Sequence, residues 1–219
     1  MQRHQAFDSV IWDFNGTLID DLDLVVRSVN TQLARRDLPA LTAEAYRDVF
    51  GFPVQDYYRR IGVTFENESM ADLSADFFAE YAPALEDCPL HDGALEILRQ
   101  LQMRGSKQFV LSAMEQGMLR SMIDHLGIQD FFAGVYGLAH QEGDSKVSRG
   151  RELQKEFDIN QHAALLIGDT AHDVEVAEAL GLSVALISRG HQSTQRLRET
   201  GYPVYESYQE LSQDLFSGN

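Results

Sequence analysis

The chain has 219 residues, 44% of them hydrophobic, enough to bury one large domain or a core with a smaller companion. Its formal net charge of −16 argues against nucleic acid as a partner, yet a small phosphate ester can still be held locally by a metal ion, a lysine and backbone amides. No apolar run approaches the length of a membrane span and residues 1–7 lack the basic and apolar regions of a secretory signal, so the expected setting is the cytoplasm, with no membrane partner.

Ser9-Val10-Ile11-Trp12-Asp13 is a short apolar run ending in a carboxylate, followed at once by the turn formers Asn15-Gly16-Thr17. The pattern predicts a buried strand that delivers Asp13 at its carboxyl end, where a carboxylate can act as nucleophile and metal ligand. A plain Asx turn after a strand is the structural alternative. From Leu18 to about Glu86 the periodicity is helical, as in Leu22, Val25, Val26, Val29 and Leu33, then Phe77, Phe78 and Tyr81. No strand interrupts it, which predicts an all-helical insert. Cys88 is the only cysteine, so it has no partner for an intrachain disulfide or a structural zinc site.

After Pro89 helix and strand alternate: a helix at about 94–103, a strand at 108–112, a helix at 117–126, a strand near 134–137 and a helix at 149–157. A strand at 164–168, a helix at 173–180, a strand at 184–187 and a short strand near Val204 continue the rhythm. This alternation predicts an α/β fold with a doubly wound parallel sheet and ligands at the carboxyl ends of its strands.

Three later segments on that frame carry chemistry. Ser112 ends the run Phe109-Val110-Leu111, and its hydroxyl with the Ala113 amide can hold a phosphate oxygen at a helix entrance; simple helix capping competes with that role. Lys146, in a polar loop following Glu142-Gly143-Asp144-Ser145, can neutralise a phosphate and its nucleophile, or be a solvated surface lysine. Leu165-Leu166-Ile167-Gly168 leads to Asp169 and Asp173, two carboxylates four residues apart. Like charges at that spacing repel unless a cation or a helix amino terminus compensates, and capping accounts for either aspartate more easily than for both.

Together, Asp13-x-Asn15-Gly16-Thr17-Leu18, Ser112, Lys146 and Gly168-Asp169-x-x-x-Asp173 resemble the motifs of the haloacid dehalogenase-like superfamily over nearly the whole chain. The helical insert is similar to the small cap of relatives of phosphoglycolate phosphatase and β-phosphoglucomutase. The resemblance implies a Rossmann-like core at 1–18 and 87–219, a helical cap at 19–86, and a magnesium-dependent phosphatase of a small phosphorylated metabolite, monomeric or homodimeric. Asp13 would form an aspartyl-phosphate, with Ser112 and Lys146 holding the transferring group. Mg2+ would be bound by Asp13, the Asn15 carbonyl, Asp169 and Asp173. The substrate would lie against Phe14, Gly16, Thr17 and Ala113, with Phe52 reaching in from the turn Gly51-Phe52-Pro53 of the cap. Arg59, or its neighbour Arg60, would meet a second anionic group.

One position departs from the pattern. Phosphatases of the superfamily usually carry a second aspartate where this chain has Asn15, and an amide can neither protonate a leaving oxygen nor activate water. Losing a positioned acid/base typically costs about 10²- to 10⁴-fold in rate. The departure implies slow turnover, a substrate with a good leaving group, or a non-catalytic module that binds a phosphorylated ligand. A metal-independent dehalogenase also lacks that aspartate, but fits poorly with the pair Asp169 and Asp173. His172 and His140 are the nearest candidates to replace the base.

Overall fold

The strand segments are apolar at nearly every position, so each must be covered on both faces. In the computed structural model, which describes residues 7–139 and 145–217, that demand is met by a six-stranded, all-parallel sheet. Its strands are β1 (Ser9–Trp12), β2 (Lys107–Glu115), β3 (Phe132–Leu138), β4 (Ala164–Gly168), β5 (Ser183–Ile187) and β6 (Val204–Tyr205). The order across the sheet is β3-β2-β1-β4-β5-β6. β1 therefore lies between β2 and β4, where the winding reverses and a crevice opens beyond the strand ends.

Alternation along the strands divides the interior into two apolar clusters. Val10, Trp12, Val110, Leu165 and Ile167 point into one, and Ile11, Phe109, Leu111, Leu166 and Leu186 into the other. Helices α1 (Leu22–Ala34), α2 (Ala43–Val49), α3 (Val54–Arg60) and α4 (Met70–Tyr81) follow β1 and form the all-helical insert. α1 and α4 pack together, joined by Gln32 Nε2 donating to the Leu73 carbonyl at 2.6 Å and by Arg36, which reaches Glu68 and Asp76. A reciprocal cap between Ser69 and Asp72 starts α4.

The remaining helices are α5 (Ala94–Met103), α6 (Gln116–His125), α7 (Lys146–Glu156), α8 (Ala171–Leu180), α9 (Thr194–Glu199) and α10 (Tyr208–Phe216). Leu98 and Leu101 of α5 join the first cluster, while Leu153 of α7 and Val176 of α8 join the second. Among the described residues, no helix is long and apolar enough to cross a membrane.

Two local expectations are corrected. β2 does not stop at Ser112 but runs on to Glu115, because Glu115 still pairs with Leu138 of β3 beyond a register irregularity; α6 begins only at Gln116. Lys146 is not in a loop: Ser145 caps α7, and Lys146 is the first residue of that helix. The sequence reading also did not anticipate α10, whose Tyr208 packs against Trp12 and donates from its hydroxyl to the Thr17 carbonyl at 2.5 Å.

Leu98 is fully buried between α5 and the sheet. Leu98→Ala is expected to cost about 2–5 kcal/mol of stability, the range for a core cavity that collapses only in part. Urea unfolding measures it, and a loss below ~1 kcal/mol would show that this face of the core is loosely packed.

Candidate active site

The neighbouring strands β1 and β4 end in one crevice, and each delivers a carboxylate to it. Asp13 extends β1, its amide donating to the Ile167 carbonyl of β4 at 2.8 Å. Asp169 follows β4 directly, and Thr17 Oγ1 ties the two together, 3.0 Å from Asp169 Oδ1 and 3.4 Å from Asp13 Oδ2. Asp173 completes the capping box of α8, whose N-cap is Thr170: its Oδ2 accepts from the Thr170 amide at 3.0 Å and the Thr170 hydroxyl at 2.8 Å. Its other oxygen accepts from Lys146 Nζ at 2.6 Å, and the same ammonium donates to Asp13. Asp169 caps nothing. Its Oδ2 takes the His191 amide at 2.6 Å, so capping explains one aspartate of the pair and leaves the other for separate work.

The crevice is closed so tightly around Asp169 that two positions admit no side chain. A Cβ on Gly16, whose φ is +70°, would sit 2.5 Å from Asp169 Oδ2, and one on Gly190 would sit 2.1 Å from the same atom.

The cluster is over-supplied with negative charge. Asp13, Asp21, Asp169 and Asp173 are all buried, and Lys146 and His191 are the buried cations that face them. Burial raises the Asp13 carboxyl to about 6, against the opposing Lys146 ammonium, with Asp173 adding to the rise. Burial likewise raises Asp169 to about 7, where His191 opposes and Asp13 and Asp173 reinforce. Asp173 moves the other way: burial would raise it, but the Lys146 charge and the bonds from Lys146 and Thr170 hold it below the usual range. Asp13, Asp169 and Asp173 each offer an oxygen, and these oxygens lie within 4.8 Å of one another. Hard oxygen donors around an uncompensated charge fit a divalent cation such as magnesium.

Asn15 sits in a second polar knot beside this one. Its Nδ2 donates to Asp21 Oδ2 and to the Tyr81 hydroxyl, each at 2.8 Å. Asp21 stands at the N-cap of α1 but turns its carboxylate away from the helix, accepting also from the Gly16 amide at 2.9 Å and the Tyr81 hydroxyl at 2.6 Å. His191 Nε2 lies 3.2 Å from Asp21 Oδ1, and His91 Nε2 lies 3.0 Å from the Gly16 carbonyl. Burial alone would lower the His191 imidazole; the Asp21 carboxylate outweighs it and lifts the ring to about 9.

The expected residues are thus only partly brought together. Asp13, Asn15, Ser112, Ala113, Lys146, Asp169 and Asp173 line one cavity, and Phe52 lines its insert side. Ser112 is buried, its Oγ accepting the Met114 amide at 3.1 Å inside the strand rather than at a helix entrance. Thr17 is buried on the carboxylates. The Phe14 side chain is fully buried in the apolar cluster, so only its backbone faces the carboxylates. Arg59 does not line the cavity; it is exposed, paired with Asp56 at 2.8 Å. Arg60 donates to the Val49 carbonyl. His172 lines the cavity, bonded to Glu175 at 2.8 Å and in tilted ring contact with Phe52, away from Asn15's partners. His140 lies outside the described residues. Sequence reasoning missed Asp21, His191 and Tyr81. Of these His191 carried a signal, since Arg189-Gly190-His191 comes just after the carboxyl end of β5.

The profile of the family described as haloacid dehalogenase-like hydrolase matches residues 10–187. A phosphoglycolate phosphatase of Rhodospirillum rubrum is 29% identical over 196 residues, 84% of this chain and 80% of that protein. A tyrosine-protein kinase, PtkA, of Mycobacterium tuberculosis is 25% identical over 206 residues, 89% of this chain and 67% of that one. In fold, a crystal structure described as a predicted phosphatase from Clostridium acetobutylicum superposes with a TM-score of 0.81 at 20% identity, covering 97% of this chain and 99% of that one.

The charge imbalance sets a pH dependence. Asp13 and Asp169, raised above their ordinary 3.8, bind protons in the folded state that the unfolded chain has lost, so stability falls as pH rises from about 4 to 7. His191, raised above 6.5, supplies stability present below 6.5 and lost toward 9. His91, held below 6.5 chiefly by burial, has the opposite sign but stands alone in that window. The metal-free protein is expected to be less stable at pH 8 than at pH 5 by more than ~1 kcal/mol, with magnesium narrowing the gap. Urea midpoints in EDTA and in magnesium chloride test this; stability rising with pH would refute it.

Proposed function

The chain belongs to the haloacid dehalogenase-like hydrolase family, and on that premise we propose that it hydrolyses a small phosphate monoester, with Asp13 as nucleophile and magnesium as cofactor. The observation that carries the reading is the Lys146 ammonium held between Asp13 and Asp173 beside Asp169, all buried at the floor of one cavity. The relatives bear two activity names, phosphoglycolate phosphatase and tyrosine-protein kinase, and phosphoryl transfer is common to both. In this reading the helices of 19–86 are a cap over the core of 1–18 and 87–219, and the cap selects the substrate.

Asp13 attacks phosphorus, the ester P–O bond breaks with its electron pair leaving on the alcohol oxygen, and the phosphoryl group rests on Asp13. Lys146 holds Asp13 in line and offsets charge on the transferring group, while the Ser112 hydroxyl and Ala113 amide receive phosphate oxygens. Water then attacks phosphorus and restores the Asp13 carboxylate, and its proton passes to the released oxygen, so alcohol and inorganic phosphate are the products. Asp13, Asp169, Asp173 and the Asn15 carbonyl would hold magnesium, which when bound offsets the repulsion between nucleophile and phosphate. Asn15 moves no proton. Its amide is committed to Asp21 and Tyr81, so it fixes the turn that carries Gly16 and Thr17.

Phosphate release from a panel of phosphorylated metabolites, with and without magnesium, tests the reading. Asp13→Asn is expected to fall to background. Asn15→Asp is expected to raise turnover of alkyl phosphates by about 10²-fold or more, because the new carboxyl would face Asp21 and be kept protonated, as an acid must be. Turnover that survives Asp13→Asn, or that ignores magnesium, would refute the assignment. A silent wild type with an active Asn15→Asp would mark a binding module on a phosphatase scaffold.

A further inference from the structure

The upper part of the active-site cavity carries information that the carboxylate floor does not. The space amounts to about 330 Å³, and its cap side is built from apolar and aromatic side chains, among them Val25, Phe50, Tyr57, Phe77 and Phe78. Phe52, Phe78 and Met103 are the exposed large hydrophobics among the described residues, and the first two stand on this cavity. Aromatic rings are rarely left to solvent in a group unless something apolar covers them.

Among the described residues, no cation is available there for a second anionic group. None of the described arginines lines the cavity; Lys146 is taken by Asp13 and Asp173, His191 by Asp21, and His172 by Glu175. Nearby arginines are engaged elsewhere: Arg47 on the Gly190 and Arg189 carbonyls, Arg196 on the Phe50 and Arg47 carbonyls. A carboxylate on the leaving group would enter an apolar, net-negative space without compensation. One polar group does lack a partner. The Tyr57 hydroxyl is buried with no hydrogen-bond partner among the described residues, on a side chain that lines the cavity.

The missing acid points the same way. An alkoxide leaving group is about as basic as hydroxide, whose conjugate acid has a pKa near 15.7, and needs a proton as the bond breaks. A phenolate, with a phenol pKa near 10, leaves with far less help. Asn15 has no proton to transfer, and its amide is already bonded.

We propose that the substrate is a small aryl phosphate, its uncharged ring seated among the cap aromatics and its phenolic oxygen the leaving atom. The inference rests on the phosphatase reading and narrows it. Asp13 displaces phenolate from phosphorus; the water that later attacks the phosphoryl-aspartate gives its proton to the released phenolate, so phenol and inorganic phosphate are the products and no further co-reactant is needed. A hydroxyl or ether substituent on the ring can meet Tyr57.

The test compares kcat/KM of the full chain in magnesium for phenyl and naphthyl phosphates against 2-phosphoglycolate and glycerol phosphate. Aryl esters are expected to be favoured by about 100-fold or more, the low end of what a missing acid costs. Because aryl esters are also intrinsically reactive, Phe78→Ala separates the pocket from the chemistry. Phe78 is 46% exposed, so its loss spares the core. It is expected to raise KM for naphthyl phosphate at least about 5-fold, as removal of one stacking ring does, and to move that KM several-fold more than the KM for glycerol phosphate. Asp13-dependent turnover that favours 2-phosphoglycolate, or an unmoved naphthyl KM in both Phe78→Ala and Phe52→Ala, would overturn the aryl assignment and leave the phosphatase reading standing. No Asp13-dependent release from any ester would overturn both.

Discussion

Burying several carboxylates within a few ångströms of one another is the constraint around which this molecule is arranged. Each would take water in preference to an apolar interior, and their mutual repulsion adds to that cost. The parallel sheet makes the arrangement possible, since β1 and β4 end side by side and release Asp13 and Asp169 into the same crevice. Lys146 then reaches across from the first turn of α7 to bind Asp13 and Asp173 together. The raised Asp13 and Asp169 register the negative charge that Lys146 and His191 leave uncompensated.

The second polar knot is organised around one amide. With Asn15 in place of a carboxylate, the amide becomes a donor, and Asp21, Tyr81 and His191 close around it into a satisfied network. A carboxylate at the same point would face Asp21 at hydrogen-bond distance. The amide therefore suits a turn that is tied to Asp21 and Tyr81 by hydrogen bonds. Opposite the carboxylate floor the helices of the insert line the cavity with aromatic walls, and under the aryl phosphate proposal floor and roof would each take a different half of one molecule.

Much of the frame was legible from the chain alone. The helix at 94–103 and the strand at 164–168 agree with α5 and β4 to the residue, because each is a strongly periodic or uniformly apolar run. Legibility failed where a polar residue belongs to a regular element for tertiary reasons. Ser112 and Glu115 stay in β2 because β3 lies alongside, and Lys146 belongs to a helix because Ser145 caps it. Phe14 looked like a site residue by its place in the motif, yet in the turn beyond β1 its side chain enters the same apolar cluster as Val10 and Trp12.

By itself, the sequence determined the alternation of strands and helices, the helical insert, and the aspartates, serine and lysine that end in the cavity, since periodicity and strand-end position are local properties. The tertiary structure alone decided which polar groups meet. Asp21 and His191 lie 170 positions apart, and Tyr81 comes from the far end of the insert, so no local pattern links them to Asn15. It alone decided, too, that Arg59 pairs with Asp56 in solvent while rings line the pocket, because the rotation of a short helix about its axis is set by what it packs against.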